Sequence, residues 1–184
     1  MRLVHWAAVP ALALALAACQ PDHQAAAPSP QEPGPGAVGT ICRMNLVEHH
    51  GPKGQVFVSG TDKPFWFSSV RDMFTWLLVD DGLGTEVAAI YVNDMGRAKN
   101  WDNPEPGTWV EAHRALFVVG SNRTAAMGGT ELVPFGDRPA AERFVAGHGG
   151  RILTFKQVDR NVLAAGEPDG TPAHVHSEEE SHHE

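Results

Sequence analysis

The sequence predicts an α+β fold in which two similar β-β-α-β units pack together. Two observations carry this. Short apolar strand patterns recur with a capped amphipathic helix between the second and third of each set. The order is the same in both halves, with Phe67-Ser68 matching Phe135-Gly136 across the repeat.

The first unit, about residues 40–98, opens with Gln55-Val56-Phe57-Val58, a strand pattern stopped by Ser59-Gly60. Pro64-Phe65-Trp66-Phe67 is the second strand. Ser68 or Ser69 then caps a helix that runs to about Leu78. Val70, Met73, Phe74 and Leu77 fall on one face at i, i+3, i+4, i+7, which assigns Met73 to the core. After the acidic turn at Asp80-Asp81, Ala88-Ala89-Ile90-Tyr91-Val92 closes the unit. The second unit, about residues 99–165, runs through Ala115-Leu116-Phe117-Val118-Val119 and Leu132-Val133-Pro134-Phe135. Asp137 caps a helix over about residues 139–147, and Arg151-Ile152-Leu153-Thr154-Phe155 is the last strand. Neither unit is long enough to bury much by itself, so the two should share a core.

The N-terminal region points to export. Arg2 and His5 precede an apolar run over residues 6–18, too short for the ~20 residues that span a bilayer but of signal-peptide length. The run ends in Leu16-Ala17-Ala18-Cys19. Small residues before a cysteine in this place resemble the lipobox of bacterial lipoproteins, which implies a signal peptide over 1–18 and acyl chains on Cys19. Gln20, rather than Asp, follows the cysteine, and by resemblance to bacterial sorting rules this points to the outer membrane. Residues 19–39 are then read as a lipidated flexible tether, because Ala, Pro, Gln and Gly offer little to bury. Residues 166–184 read as a disordered acidic tail whose His174, His176, His182 and His183 offer at most loose metal binding. The chain carries a formal charge of −8, which argues against nucleic acid or an anionic lipid surface as partner.

Two cysteines exist in the chain. If Cys19 is acylated, Cys42 has no disulfide partner, which is unusual in an oxidising compartment. Cys42-Arg43-Met44 sets a thiol and a thioether two residues apart, and in an extended segment both would point to one side. Soft sulfur donors favour Cu(I) over hard divalent ions. A second reachable thioether, Met127, lies in the Gly-rich stretch Ala125-Ala126-Met127-Gly128-Gly129, while Met95 stands at a strand end.

The segments Cys42-x-Met44, His49-x-Gly51-Pro52-Lys53-Gly54-Gln55, Trp66-Phe67-Ser68-Ser69-Val70-Arg71-Asp72, Ala89-Ile90-Tyr91-Val92-Asn93-Asp94-Met95-Gly96 and Met127-Gly128 together resemble the NosL family, accessory lipoproteins of nitrous oxide reductase. The resemblance spans residues 40–156 and implies a periplasm-facing Cu(I) chaperone for the copper centres of nitrous oxide reductase, working with that enzyme's membrane-bound maturation machinery. It also implies a fold of two β-β-α-β units. The family's sulfur ligands would fall on Cys42, Met44 and Met127, and its nearby histidine on His49. The family has glycine between the cysteine and the first methionine, where this chain has Arg43.

Two other classes compete. An enzyme would pair Cys42 as nucleophile with His49 or His50 as base, but the carbon–mercury lyase chemistry that the family's fold resembles needs a second active thiol, and only Cys42 is available. A non-catalytic docking lipoprotein would use its tryptophans as contacts, with Trp101 in Asn100-Trp101-Asp102-Asn103-Pro104 the foremost.

Overall fold

A computed structural model describes residues 27–79 and 84–166. The expectations for the signal peptide, Cys19, the Asp80-Asp81 turn and the His-rich tail from residue 167 lie outside the described residues.

The first unit consists of β1 (Gly54–Val58), β2 (Phe65–Phe67), α1 (Val70–Leu78) and β3 (Val87–Asn93). The second consists of β5 (Leu116–Val119), β6 (Val133–Phe135), α2 (Arg138–His148) and β7 (Arg151–Thr154). In each unit the first strand lies centrally, the second pairs on one side and the last on the other, all antiparallel: β2-β1-β3 and β6-β5-β7. The repeat read from sequence is therefore also a repeat of topology. Two elements were not foreseen. β4 (Trp109–Glu111) extends the first sheet beside β3, and α3 (Arg160–Ala165) packs against α1.

Helix starts follow the expected chemistry. The Ser69 hydroxyl accepts the Asp72 N–H, and Asp137 accepts that of Ala140, so each α-helix begins with a first-turn donor satisfied by a side chain.

The predicted apolar face of α1 is the molecular centre. Val70, Met73 and Phe74 are buried and Leu77 packs at their margin. α1 lies against Val56, Ile90 and Val92 of the first sheet and against Phe117, Val119 and Leu153 of the second. Phe74 meets the Phe117 ring edge-on with centroids 5.1 Å apart. Gly54 is required by this packing, since a β-carbon there would come within 2.8 Å of Met73 Sδ. The residues alternating with these on the second sheet, among them Val118, Val133 and Phe135, pack with Ala140 and Ala141 of α2.

The N-terminal segment departs from the expectation of a flexible tether reaching Gly39. From Pro28 onward it is tied to the first sheet. The Tyr91 hydroxyl donates to Pro28 O at 2.7 Å, and the buried Gln55 amide exchanges two hydrogen bonds with the Gln31 backbone. Gly107 N–H donates to the Glu32 carboxylate. The composition of this segment concealed these anchors, because their partners, Gln55, Tyr91 and Gly107, lie far along the chain.

Candidate metal centre

Cys42 sits on a tight turn between the N-terminal segment and the first strand. Arg43 N–H donates to Gly39 O, Gly39 N–H donates to Met44 O, and Val38 bridges Asn45. Cys42 and Met44 thus stand on a turn rather than on an extended segment. The turn is closed because Arg43 adopts φ 59°, the one non-glycine residue in the left-handed region among those described. Gly39 gives the sulfur its room, since a β-carbon there would stand 2.5 Å from Cys42 Sγ. The turn is fastened to the sheet by Thr40 N–H donating to Trp66 O at 2.7 Å.

Downstream, Asn45 caps a short 3-10 turn, Leu46–Glu48, whose Leu46 is buried as an anchor. His49 follows. Its carbonyl and that of Gly51 accept hydrogen bonds from Lys53 Nζ at 2.7 and 2.6 Å, which fixes the backbone around the imidazole. Burial lowers Lys53 to about 8, with Glu131 and Asp102 acting to raise it.

The result is a contact between Cys42 Sγ and His49 Nε2 at 3.7 Å. Behind the sulfur, the thiol donates to Ser68 Oγ at 3.6 Å, and Ser68 in turn donates to Asp72 Oδ2 at 3.1 Å. Burial raises Asp72 above the ordinary carboxylate range, against hydrogen bonds from Ser68 and Ser69 and the charges of Arg71 and His49. Ser68 and Asp72 were present in the sequence motif, but nothing in it marked them as neighbours of Cys42. Among the described residues no group of three or more His, Cys, Asp and Glu side chains is placed to hold a metal.

Of the four residues expected to bind metal, the structure brings Cys42 and His49 into contact. Met44 and Met127 are both largely in solvent, 42% and 50% exposed. Met127 occupies the tip of a hairpin closed by the Thr124–Thr130 bridge, as expected of a reachable loop methionine. That hairpin is moored to α1, because Arg71 Nη1 donates to Thr130 O at 3.3 Å. The hairpin of Met127 and the sulfur of Cys42 thus both rest on the N-terminal end of α1, one through Arg71 and the other through Ser68.

Other candidates resolve differently. His50 turns outward to Asp102. Met95 is partly buried against the second core cluster. Asn93 is structural: its side chain accepts the Lys53 N–H and donates to Thr108. Trp101 is not a free contact residue. It stacks on Phe144 with centroids 6.2 Å apart and carries the Arg123 guanidinium on its face, so it serves packing instead.

The fold and site define a small α+β protein that sets one thiol beside one imidazole on an accessible turn, with one exposed thioether on that turn and a second on a separate hairpin. Comparison with known proteins agrees. A model of the NosL family matches residues 30–163, and the chain belongs to that family. It is 42% identical to a copper-binding lipoprotein NosL of Achromobacter cycloclastes, over 88% of this chain and 83% of the relative. It is 36% identical to a copper-binding lipoprotein NosL of Stutzerimonas stutzeri, over 67% of this chain and 62% of the relative. The crystal structure of the copper chaperone NosL from Shewanella denitrificans superposes with a TM-score of 0.67 at 31% identity, covering 73% of this chain and 98% of that one. These relatives are described as binding proteins and chaperones, not as enzymes.

Proposed function

We propose that this chain is a Cu(I)-binding lipoprotein, anchored through Cys19 to the outer membrane and facing the periplasm. In this reading it delivers copper for assembly of the copper centres of nitrous oxide reductase, together with that enzyme's membrane-bound maturation machinery. The observation that carries the proposal is the Cys42 thiol, 3.7 Å from His49 Nε2 on an accessible turn.

Copper is the cargo. Cys42 supplies a thiolate, Met44 and Met127 supply thioethers, and His49 is a further donor; this soft set fits Cu(I). Loss of the thiol proton on binding makes affinity fall at acid pH. Two of the donors, Met44 and Met127, are exposed and stand on separate turns. An acceptor's own ligands can replace them one at a time, so copper passes by exchange without being released as a free ion.

The test is an anaerobic competition titration of the full chain in detergent against a Cu(I) chelator, with Cys42→Ser beside it. One tightly bound Cu(I), lost in Cys42→Ser, is expected. No competition by the unmodified chain would overturn the copper reading and leave a tethered docking protein as the better account.

A further inference from the structure

Large exposed apolar side chains are concentrated in one place. Of those among the described residues, Val38, Ile41, Met44 and Val47 belong to the segment that carries Cys42. Phe65 stands on β2, the strand to which that segment is fastened. Exposed apolar side chains gathered on one turn and the strand beneath it mark an interaction surface rather than ordinary surface scatter.

The patch is shaped and charged as well as apolar. A cleft opens on each side of the Cys42 turn, one against Ile41, Phe65 and Trp76 and the other against Val38, Phe65 and Trp66. Arg43 lines both clefts and Lys63 lines the second, and among the described residues no carboxylate lines either. The chain as a whole carries −8, so this face stands out electrostatically from the rest. An acidic partner is repelled by most of the molecule and admitted here, which orients its approach.

β2 is the edge of its sheet, which could invite an added strand, but its Trp66 carbonyl is already taken by Thr40 N–H. Docking through side chains into the two clefts is therefore favoured over strand addition. Cys42 itself lines neither cleft, so a partner seated there grips the turn that carries the thiol and approaches it from the side.

We propose that the apolar rim of Val38, Ile41 and Phe65, with Arg43 and Lys63, is the docking surface for the copper-accepting protein, which presents an apolar loop flanked by carboxylates. This rests on the copper-delivery reading above and adds the face and the chemistry of the acceptor.

The experiment follows transfer from the Cu(I)-loaded full chain to copper-free nitrous oxide reductase, in the presence of membranes carrying its maturation machinery. Unmodified chain is compared with Ile41→Asp and Lys63→Glu. Both variants should hold Cu(I) against a chelator, and surrender it to a small chelator, as the unmodified chain does. Transfer to the protein acceptor should slow at least ten-fold, and added salt should slow the unmodified chain more than Lys63→Glu. Transfer by both variants at the unmodified rate overturns the docking surface and leaves the delivery reading standing. No transfer from the unmodified chain overturns the delivery reading, and this acceptor with it.

Discussion

The Glu131 carboxylate of the second unit accepts the main-chain N–H of Arg71, at the start of the first unit's helix, at 3.0 Å. The same oxygen accepts the N–H of Leu132. Its other oxygen is buried without a partner. Glu131 thus ties the second unit to the helix end behind Cys42, at the cost of a carboxylate wholly out of solvent.

Burial pushes Glu131 up to about 8, opposed by its hydrogen bonds from Arg71 and Leu132 and by the charge of Lys53, and reinforced by the charge of Asp72. Below pH 4.5, the ordinary value, the folded and unfolded chains both hold this proton and the group's contribution is intact. Between there and about 8 the unfolded chain has released a proton that the folded chain keeps, so stability falls as pH rises. The slope approaches about 1.4 kcal/mol per pH unit in this window. Lys53, lowered to about 8, changes its contribution only above that pH. Urea midpoints of the full chain should therefore decline from pH 5 to pH 8. Glu131→Gln keeps the accepting oxygen and should flatten the decline. An equal slope in both proteins would mean that Glu131 is already ionised in the fold.

The strands, both α-helix caps and the core face of α1 were legible because each is written locally, in alternation, in Ser69 and Asp137, and in a 3.6-residue period. β4 and α3 were not. β4 is three residues long and is defined by pairing with β3, while α3 is six residues whose only local sign is the Asp159 cap. The site divides in the same way. Cys42 and His49 lie seven residues apart and could be grouped by eye. Ser68 reaches Cys42 across 26 residues of chain, a contact that only the sheet and its fastened turn bring about.

Arg43 shows how one backbone angle overrode a correct side-chain inventory. The thiol and thioether stand two residues apart, but the left-handed φ of 59° between them makes a turn rather than an extended segment. A side chain in that region costs roughly 1–2 kcal/mol, part of which glycine gives back through its freer unfolded chain. Arg43→Gly should therefore raise folding stability by about 0.5–1 kcal/mol. Chemical denaturation measures it, and a loss of stability would mean that the arginine side chain makes an offsetting contact.

Met127 tests whether the second unit closes the metal site. It is half exposed and its hairpin is held by Arg71, so Met127→Ala should alter folding stability by less than about 0.5 kcal/mol. Cu(I) affinity should nonetheless fall by about ten-fold or more, in the range that even partners outside the ligand set command. Unchanged affinity in the chelator competition would remove Met127 from the ligand set.

His49 presents a sharper choice, because the 3.7 Å contact with Cys42 Sγ fits either a ligand waiting beside the thiol or a hydrogen-bonding neighbour that orients it. The backbone of His49 is held by Lys53 whatever its side chain does, so His49→Ala should fold as the unmodified chain does. If the imidazole is a supplementary donor, His49→Ala should still bind one Cu(I), about ten-fold more weakly. Deleting residues 167–184, with their separate histidines, should leave the affinity where it was. The comparison has to include both changes. A large loss on deleting the tail, with none in His49→Ala, would move the nitrogen donor from the turn beside Cys42 to the C-terminal segment.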